Sequence, residues 1–231
     1  MAFKFIILIV KVFFKLATRI EYQGLENIPE AKPVLITSNH VGFLDGFMIL
    51  TIFANHPNLV VVIAEKYQKN ALYRWAAKKL EWYFIDRYNP DIRTMRKVIN
   101  RMKDNGLMVI APEGTRSPNG QLIEGKQGAA YIAAKTNATI VPAGTTGSDD
   151  HLIKSRFREL KRLDIKIKFG KPYKLPPMPK HDRGAYLQHT TDEIMCQIAA
   201  LLPYSYRGIY KNHPRLKELL GVQETRLERM N

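Results

Sequence analysis

A histidine and an aspartate lie five residues apart in the stretch TSNHVGFLDG, residues 37–46. An imidazole is suited to act as a general base near neutral pH, and a carboxylate that accepts its second ring N–H would fix the tautomer. Five residues is a poor spacing for one helix face, but His40 and Asp45 can meet if a loop enters a helix between them. The alternative is a turn and a buried helix, with no chemical role for His40.

The chain has no GxSxG sequence, the turn that exposes a nucleophilic serine in many hydrolases. A histidine base without a nucleophile from the protein indicates that the nucleophile belongs to the substrate. A substrate hydroxyl group is the simplest example, because a general base activates it by taking its proton.

A second polar stretch, PEGTRS at residues 112–117, follows the apolar run LMVIA. Gly114 and Thr115 can present backbone N–H groups and a hydroxyl, and Arg116 can hold an oxyanion through two parallel hydrogen bonds. These groups suit a phosphate. The alternative is a tight turn with a solvated pair between Arg116 and Glu113.

Three further features have weaker signals. Arg87, in WYFIDR, leaves a predicted strand end and on its own indicates a salt bridge more often than a ligand contact. The stretch GQLIEGKQ, residues 120–127, nearly fits a nucleotide-binding loop, but Gln127 replaces the hydroxyl residue that would hold magnesium. The single cysteine, Cys196, lies in an apolar helical pattern and is predicted to be a small buried hydrophobe. No cluster of metal-ligand spacing occurs, so we expect no metal.

The elements that would position these residues alternate between strands and helices, which predicts an α/β domain with a largely parallel or mixed sheet flanked by helices. The predicted strands are residues 34–37, 58–67, 82–87, 107–111, 138–147 and 162–175, the last one-sided or at a sheet edge. The predicted helices are residues 42–56, 70–82, 91–106, 125–137 and 185–202, with a short helix after residue 206 and a loose tail. Ser38 or Asn39 suits the cap of the first of these helices. The polar stretches fall at strand ends, where α/β proteins place their sites.

The N-terminal 20 residues are strongly apolar but are interrupted by Lys4, Lys11 and Lys15. No uncharged run approaches the roughly 20 residues of a membrane span. The three lysines fall in one narrow helical sector, which predicts a helix lying in the membrane interface. The alternative is a helix packed on the protein's own core. We therefore expect an anchoring helix at 1–20 and a single domain at 21–231.

The net charge is +15, from 36 Lys and Arg against 21 Asp and Glu, with a pI near 9.8. Such a field attracts polyanions, either nucleic acid or an anionic membrane surface. The sequence has no stacking aromatic ribbon, helix-turn-helix spacing or zinc finger, so we predict no nucleic-acid partner.

Four stretches occur in a recognisable order between residues 39 and 144: NHVGFLD, WYFIDR, APEGTRS and IVPAG. They resemble the four sequence blocks of the 1-acyl-sn-glycerol-3-phosphate acyltransferase family. The resemblance implies a glycerol-3-phosphate acyltransferase-like α/β fold. It also implies transfer of an acyl group from acyl-coenzyme A or acyl carrier protein to the hydroxyl of lysophosphatidic acid, giving phosphatidic acid. No cofactor is implied beyond the donor thioester.

The resemblance also assigns roles. His40 would be the general base and Asp45 the group that orients it, with no acyl-enzyme intermediate. The acceptor's glycerol phosphate would be bound by residues of the third block and by one arginine of the second: Glu113, Gly114, Thr115, Arg116 and Arg87. Val141 and Pro142, from the fourth block, would help to line the acyl site. The enzyme would lie on an anionic membrane, peripheral or monotopic, at the cytoplasmic face.

Three positions depart from the common pattern: Gly42 stands where serine is frequent, Ala111 where phenylalanine is, and Glu81 where glycine is. These departures leave open another lysophospholipid or glycerol-3-phosphate as the acceptor. A basic membrane-surface or nucleic-acid-binding protein without catalysis is the alternative from a different class.

Overall fold

A computed structural model describes residues 2–31, 33–53, 56–86, 91–159 and 161–228. The helices are α1 (Ala2–Ala17), α2 (Asp45–Phe53), α3 (Ala71–Leu80), α4 (Ile92–Lys103), α5 (Gly128–Thr136), α6 (Asp150–Arg158), α7 (Arg183–Leu201) and α8 (Pro214–Glu228). The strands are β1 (Thr18–Gln23), β2 (Val34–Ser38), β3 (Leu59–Val60), β4 (Val62–Ala64), β5 (Tyr83–Ile85), β6 (Leu107–Ile110), β7 (Thr139–Thr146) and β8 (Leu163–Phe169).

Six of these strands form one sheet in the order β1-β8-β7-β2-β6-β3, and β4 and β5 form a separate parallel pair. All neighbours in the large sheet are parallel except β7 and β8, which run antiparallel. The predicted α/β class with a largely parallel or mixed sheet is therefore confirmed. In the centre, β2 pairs with both β6 and β7, which places its carboxyl end between theirs.

The core lies on both faces of the sheet because successive strand residues point to opposite sides. Leu35 belongs to a cluster with residues of α5 and α7, whereas Val34 and Ile36 belong to a second cluster with residues of α1 and α2. The prediction for Cys196 is confirmed, since it is fully buried in the first cluster.

The last predicted strand is one-sided, as its alternating burial shows, but it is not at an edge. Strand β1 pairs in parallel with β8 from Thr18 opposite Leu163 to Gln23 opposite Lys168, and β1 therefore forms the edge. The N-terminal helix ends at Ala17, short of the 20 residues expected, because the chain turns directly into this strand.

Other predictions about the elements need correction. The apolar run at 58–67 forms two short strands, β3 and β4, that belong to different sheets. Helix α6, which follows β7, was not predicted. The last helix is longer than expected and runs to Glu228. Helix α2 begins at Asp45 rather than after Ser38 or Asn39, because residues 39–44 form a loop.

Helix α1 has an exposed apolar face and, at Phe14, a buried aromatic ring. Phe14 is 4% exposed and packs in the cluster that contains Leu44 and Met48. Five other apolar side chains of the helix are about half exposed: Leu8, Ile9, Val12, Phe13 and Leu16. Within the part of the chain that the structure describes, no helix is both long enough and apolar enough to cross a bilayer.

Candidate active site

The loop between β2 and α2 brings His40 and Asp45 together. Nδ1 of His40 lies 2.9 Å from Oδ2 of Asp45. The same oxygen accepts hydrogen bonds from the backbone N–H groups of Val41, at 2.8 Å, and Gly42, at 3.0 Å. An ionised carboxylate can only accept, so in a neutral imidazole this contact assigns the hydrogen to Nδ1 and leaves the lone pair on Nε2. His40 is thus arranged to receive a proton at Nε2.

Asn39 fixes the start of this loop; it opens the first sequence block, which assigned it no role. Its buried side-chain amide donates to the Thr145 carbonyl oxygen at 2.8 Å, and its side-chain oxygen accepts from the Thr145 N–H at 2.7 Å. The amide therefore continues the pairing of β2 with β7 for one more step. This use of the side chain explains why Asn39 does not cap a helix.

The segment after β7 supports the loop from the other side, and it escaped sequence reasoning. Ser148 donates its hydroxyl hydrogen to Oδ1 of Asp45 at 2.6 Å. Oδ1 of Asp150 accepts the Phe43 N–H at 2.7 Å. A β-carbon at Gly42 would lie 1.7 Å from the Ser148 carbonyl oxygen, so this close approach admits only glycine. The departure from serine at position 42 therefore has a steric reason.

The PEGTRS loop wraps around His40 through backbone contacts. The Ser117 N–H donates to the His40 carbonyl oxygen at 2.8 Å, and the His40 N–H donates to Oε1 of Glu113 at 2.8 Å. Oε2 of Glu113 accepts the Ile123 N–H at 3.2 Å. The structure therefore brings the first and third sequence blocks into direct contact.

Glu113 is only 1% exposed, and its two oxygens are used by these backbone groups. Burial raises the pKa of this carboxyl to about 7, even though both hydrogen bonds favour the ionised form. A phosphate contact was expected here from the family resemblance. In the structure both oxygens hold the loop through backbone N–H groups, and the phosphate contact stays a prediction.

Arg116 forms an ion pair of 2.6 Å with Oδ2 of Asp150, and both side chains are partly exposed. The partner is Asp150, so the alternative of a pair between Arg116 and Glu113 is wrong. Asp150 also holds the Phe43 N–H, as described above. One carboxylate therefore ties Arg116 to the loop that carries His40 and Asp45.

These groups surround the mouth of a cavity of about 830 Å³. Its polar lining includes Ser38, His40, Asp45, Thr115, Arg116 and Asp150, together with the backbone of Gly114. Its apolar lining includes Ile36, Met48, Ile52, Val109, Ile167 and Phe169. The cavity thus combines a charged rim with an interior that suits hydrocarbon.

Three other residues were expected to contribute: Arg87, Val141 and Pro142. Arg87 lies outside the described residues. Val141 is fully buried in the core, and neither it nor Pro142 lines the large cavity. The fourth block instead reaches the cavity through Ala143, and Thr145, which follows the block, also lines it.

The Acyltransferase family model matches residues 19–146, more than half of the chain. The chain belongs to this family. The match includes His40, Asp45 and the PEGTRS loop, and it ends before Ser148 and Asp150.

Curated relatives carry a more specific name. The chloroplastic 1-acyl-sn-glycerol-3-phosphate acyltransferase BAT2 of Brassica napus is 28% identical over 160 residues, covering 66% of this chain and 44% of the relative. The 1-acyl-sn-glycerol-3-phosphate acyltransferase alpha of Homo sapiens is 27% identical over 169 residues, covering 70% of this chain and 55% of the relative. The 1-acyl-sn-glycerol-3-phosphate acyltransferase of Saccharomyces cerevisiae is 26% identical over 177 residues, covering 74% and 57%. The chain spans about half the length of the curated relatives it matches.

A solved structure shares the fold. The crystal structure of the 1-acyl-sn-glycerophosphate acyltransferase PlsC from Thermotoga maritima superposes with a TM-score of 0.58. At 22% sequence identity, the superposition covers 81% of this chain and 77% of that one.

Proposed function

We propose that this protein transfers an acyl group from a thioester to the free hydroxyl of 1-acyl-glycerol-3-phosphate and so produces phosphatidic acid. The observation that carries the proposal is the placement of the His40–Asp45 pair and Arg116 at the rim of one largely apolar cavity. A base, an anion-binding group and a hydrocarbon site are what an amphipathic phosphorylated acceptor requires. The names of the relatives support the same substrate.

In this proposal His40 is the general base. Nε2 takes the proton of the acceptor hydroxyl as its oxygen attacks the thioester carbonyl carbon, and Asp45 stabilises the imidazolium that forms. The tetrahedral intermediate then collapses, the carbon–sulfur bond breaks, and the proton on Nε2 passes to the departing thiolate. Atoms and charge balance without an acyl-enzyme, and the donor thioester supplies the activation without a further cofactor.

The phosphate of the acceptor would bind at Arg116 and Thr115, which both line the cavity. The Gly114 N–H, expected to join them, instead donates to the Ala111 carbonyl oxygen at 3.0 Å. Arg116 keeps further N–H donors beyond the one directed at Asp150, because a guanidinium has five. Glu113 would act by holding the loop. A shared role for Arg87 remains a proposal that rests on the family resemblance alone.

The acyl chains would occupy the apolar interior of the cavity, and either acyl-coenzyme A or acyl carrier protein could supply the thioester. Val141 and Pro142 would support the side chains that line the cavity and would not contact the acyl chain.

A location on an anionic membrane surface fits the same molecule. The exposed apolar face of α1 includes Phe13 and Leu16, and Lys11 and Lys15 are exposed beside it. Apolar insertion and attraction of the +15 charge to anionic lipid act together. We place the protein on the cytoplasmic face, where soluble thioester donors would reach it.

A transfer assay tests the proposal. Purified protein would be mixed with anionic liposomes that contain lysophosphatidic acid. Labelled acyl-coenzyme A and labelled acyl groups on acyl carrier protein would be supplied as donors in parallel reactions. Glycerol-3-phosphate and neutral-headgroup lysophospholipids serve as competing acceptors. We expect labelled phosphatidic acid from at least one donor and less product from the other acceptors. Transfer to another acceptor alone would contradict the proposed substrate, and no transfer to any would contradict the activity.

A further inference from the structure

The carboxylate of Asp45 is held on its two oxygens by different parts of the chain. Oδ2 accepts hydrogen bonds from His40, Val41 and Gly42, which all belong to its own loop. Oδ1 accepts from the Ser148 hydroxyl at 2.6 Å, across 103 residues of sequence. The rotation of the carboxylate about its Cβ–Cγ bond therefore depends on Ser148 as well as on the loop.

We propose that Ser148 is a positioning residue for proton transfer, acting on His40 through Asp45. This inference rests on the proposed function, in which His40 is the base. The family match ends at residue 146, so the match does not include Ser148. The resulting chain of contacts runs from the Ser148 hydroxyl to Asp45 and on to Nδ1 of His40.

Burial makes the Ser148 contact hard to replace. Ser148 is fully buried and Asp45 is 9% exposed, so bulk water does not substitute for a lost donor. A hydrogen bond from a hydroxyl to a carboxylate is charge-assisted and is stronger than one between neutral groups. Loss of the hydroxyl would leave Oδ1 buried without its donor and would favour rotation of the carboxylate away from the imidazole.

The position of the hydroxyl is itself set by the backbone. The backbones of Gly42 and Ser148 approach so closely that a β-carbon at Gly42 would meet the Ser148 carbonyl carbon at 2.8 Å. Neighbouring Asp150 is anchored to the same loop through the Phe43 N–H at 2.7 Å. Two contacts thus fix the 148–150 segment against the loop, which is the arrangement that pre-organises a catalytic group.

The effect should fall on turnover rather than on acceptor binding, because no hydrogen bond or ion pair of the described chain joins Ser148 to Arg116 or Thr115. Outer partners that orient the ligands of metal sites change activity by about 10- to 100-fold when removed, and we expect a similar effect for a partner that orients a general base. We expect a fall of kcat in that range for Ser148→Ala, with the acceptor KM within about twofold of wild type.

Three variants separate the hydroxyl from the shape of the side chain. Ser148→Ala removes the donor, Ser148→Thr keeps it and adds a methyl group, and Ser148→Cys keeps the size with a weaker donor. We expect kcat to fall in the order wild type, Thr, Cys and Ala. Thermal unfolding of each variant shows whether it is folded, and rates are compared among folded variants.

A second readout does not require turnover. In wild type, the Nδ1 proton of His40 should give a downfield proton resonance in NMR spectra, assigned by its absence in His40→Ala. We expect this resonance to persist in Ser148→Thr and to shift or exchange away in Ser148→Ala. Wild-type kcat in Ser148→Ala with an unchanged resonance would overturn the inference. If wild type transfers no acyl group, the proposed function fails, while the resonance still decides whether Ser148 positions His40.

Discussion

The backbone N–H of His40 donates to the carboxylate of Glu113, 73 residues further along the chain, at 2.8 Å, and this contact joins the first and third sequence blocks. Ser117 completes the contact from the same loop, since its N–H donates to the His40 carbonyl oxygen. The loop that carries His40 and the PEGTRS loop are therefore one structural unit, and a substitution in one should alter the position of the other.

Replacing the base is the most direct test of the proposed chemistry. We expect His40→Ala to lower kcat by about 100- to 10,000-fold, the usual contribution of a general base, with liposome binding unchanged. Transfer assays and liposome sedimentation measure the two quantities. His189→Ala, at an exposed position on α7, is the matched control and should keep wild-type turnover. Near-wild-type turnover in His40→Ala would rule out its assigned role.

Arg116 should act on the acceptor and not on the donor. We expect Arg116→Ala to raise the acceptor KM by about 10- to 100-fold, because a hydrogen bond to a charged group is lost. Arg116→Lys should recover part of this loss, since it keeps the charge without the planar fork.

Initial rates with each substrate varied in turn would measure both KM values. Arg183→Ala, an exposed arginine at the start of α7, serves as the control. An increase confined to the donor KM would show that Arg116 does not bind the acceptor phosphate.

The raised pKa of Glu113 predicts that the stability of the protein depends on pH. Its pKa is raised from an ordinary 4.5 to about 7 by burial, so between these values the folded state holds a proton that the unfolded state has lost. The free energy of unfolding should therefore fall by up to about 3 kcal/mol as pH rises through this window, and the contribution should be constant outside it.

Urea unfolding at several pH values would compare wild type with Glu113→Gln, which cannot ionise. The control is Glu26→Gln, at an exposed position. We expect the slope between pH 5 and pH 7 to be weaker in Glu113→Gln alone. Equal slopes in all three proteins would mean that Glu113 ionises at the same pH in both states.

Substitutions of two adjacent phenylalanines in α1 should distinguish the contribution of this helix to folding from its contribution to membrane binding. Phe14 is 4% exposed and Phe13 is 51% exposed. We expect Phe14→Ala to lower the free energy of unfolding by about 3 kcal/mol or more, the usual cost of emptying a core site. Phe13→Ala should change it by about 1 kcal/mol or less but weaken liposome binding by about tenfold.

Unfolding curves and liposome partitioning measure these effects, and each variant serves as the control for the other. Substitution is preferable to deletion of the first 20 residues, because deletion would also remove part of β1. Equal liposome binding of Phe13→Ala and wild type would indicate that this face of α1 does not insert.

The sequence predicts the centre of the fold well, since β2, β6 and β7 are short apolar runs that end in polar loops. It also predicts that His40 and Asp45 can meet, because a loop entering a helix relaxes the helical spacing. These features depend on neighbours along the chain, and local patterns report them.

Contacts between distant segments are harder to predict. Ser148 and Asp150 lie 103 and 107 residues from the groups they hold in the loop, and GSDD reads locally as an ordinary polar turn. The sequence did not indicate strand β1, because it follows directly on the apolar helix. Its partner β8 was therefore predicted as a possible edge strand. In each case the deciding interaction is a tertiary contact, which the spacing of apolar residues along the chain does not indicate.

Helix α1 ends at Ala17 and β1 begins at Thr18, so no linker separates the exposed helix from the sheet. The Thr18 hydroxyl also donates to the Phe14 carbonyl oxygen at 2.6 Å across this junction. The helix and the sheet are thus joined directly. A molecule bound through α1 would hold its cavity at a fixed height and tilt above the lipid. Under the proposed function, the distance between the lipid surface and His40 would then be fixed by this junction.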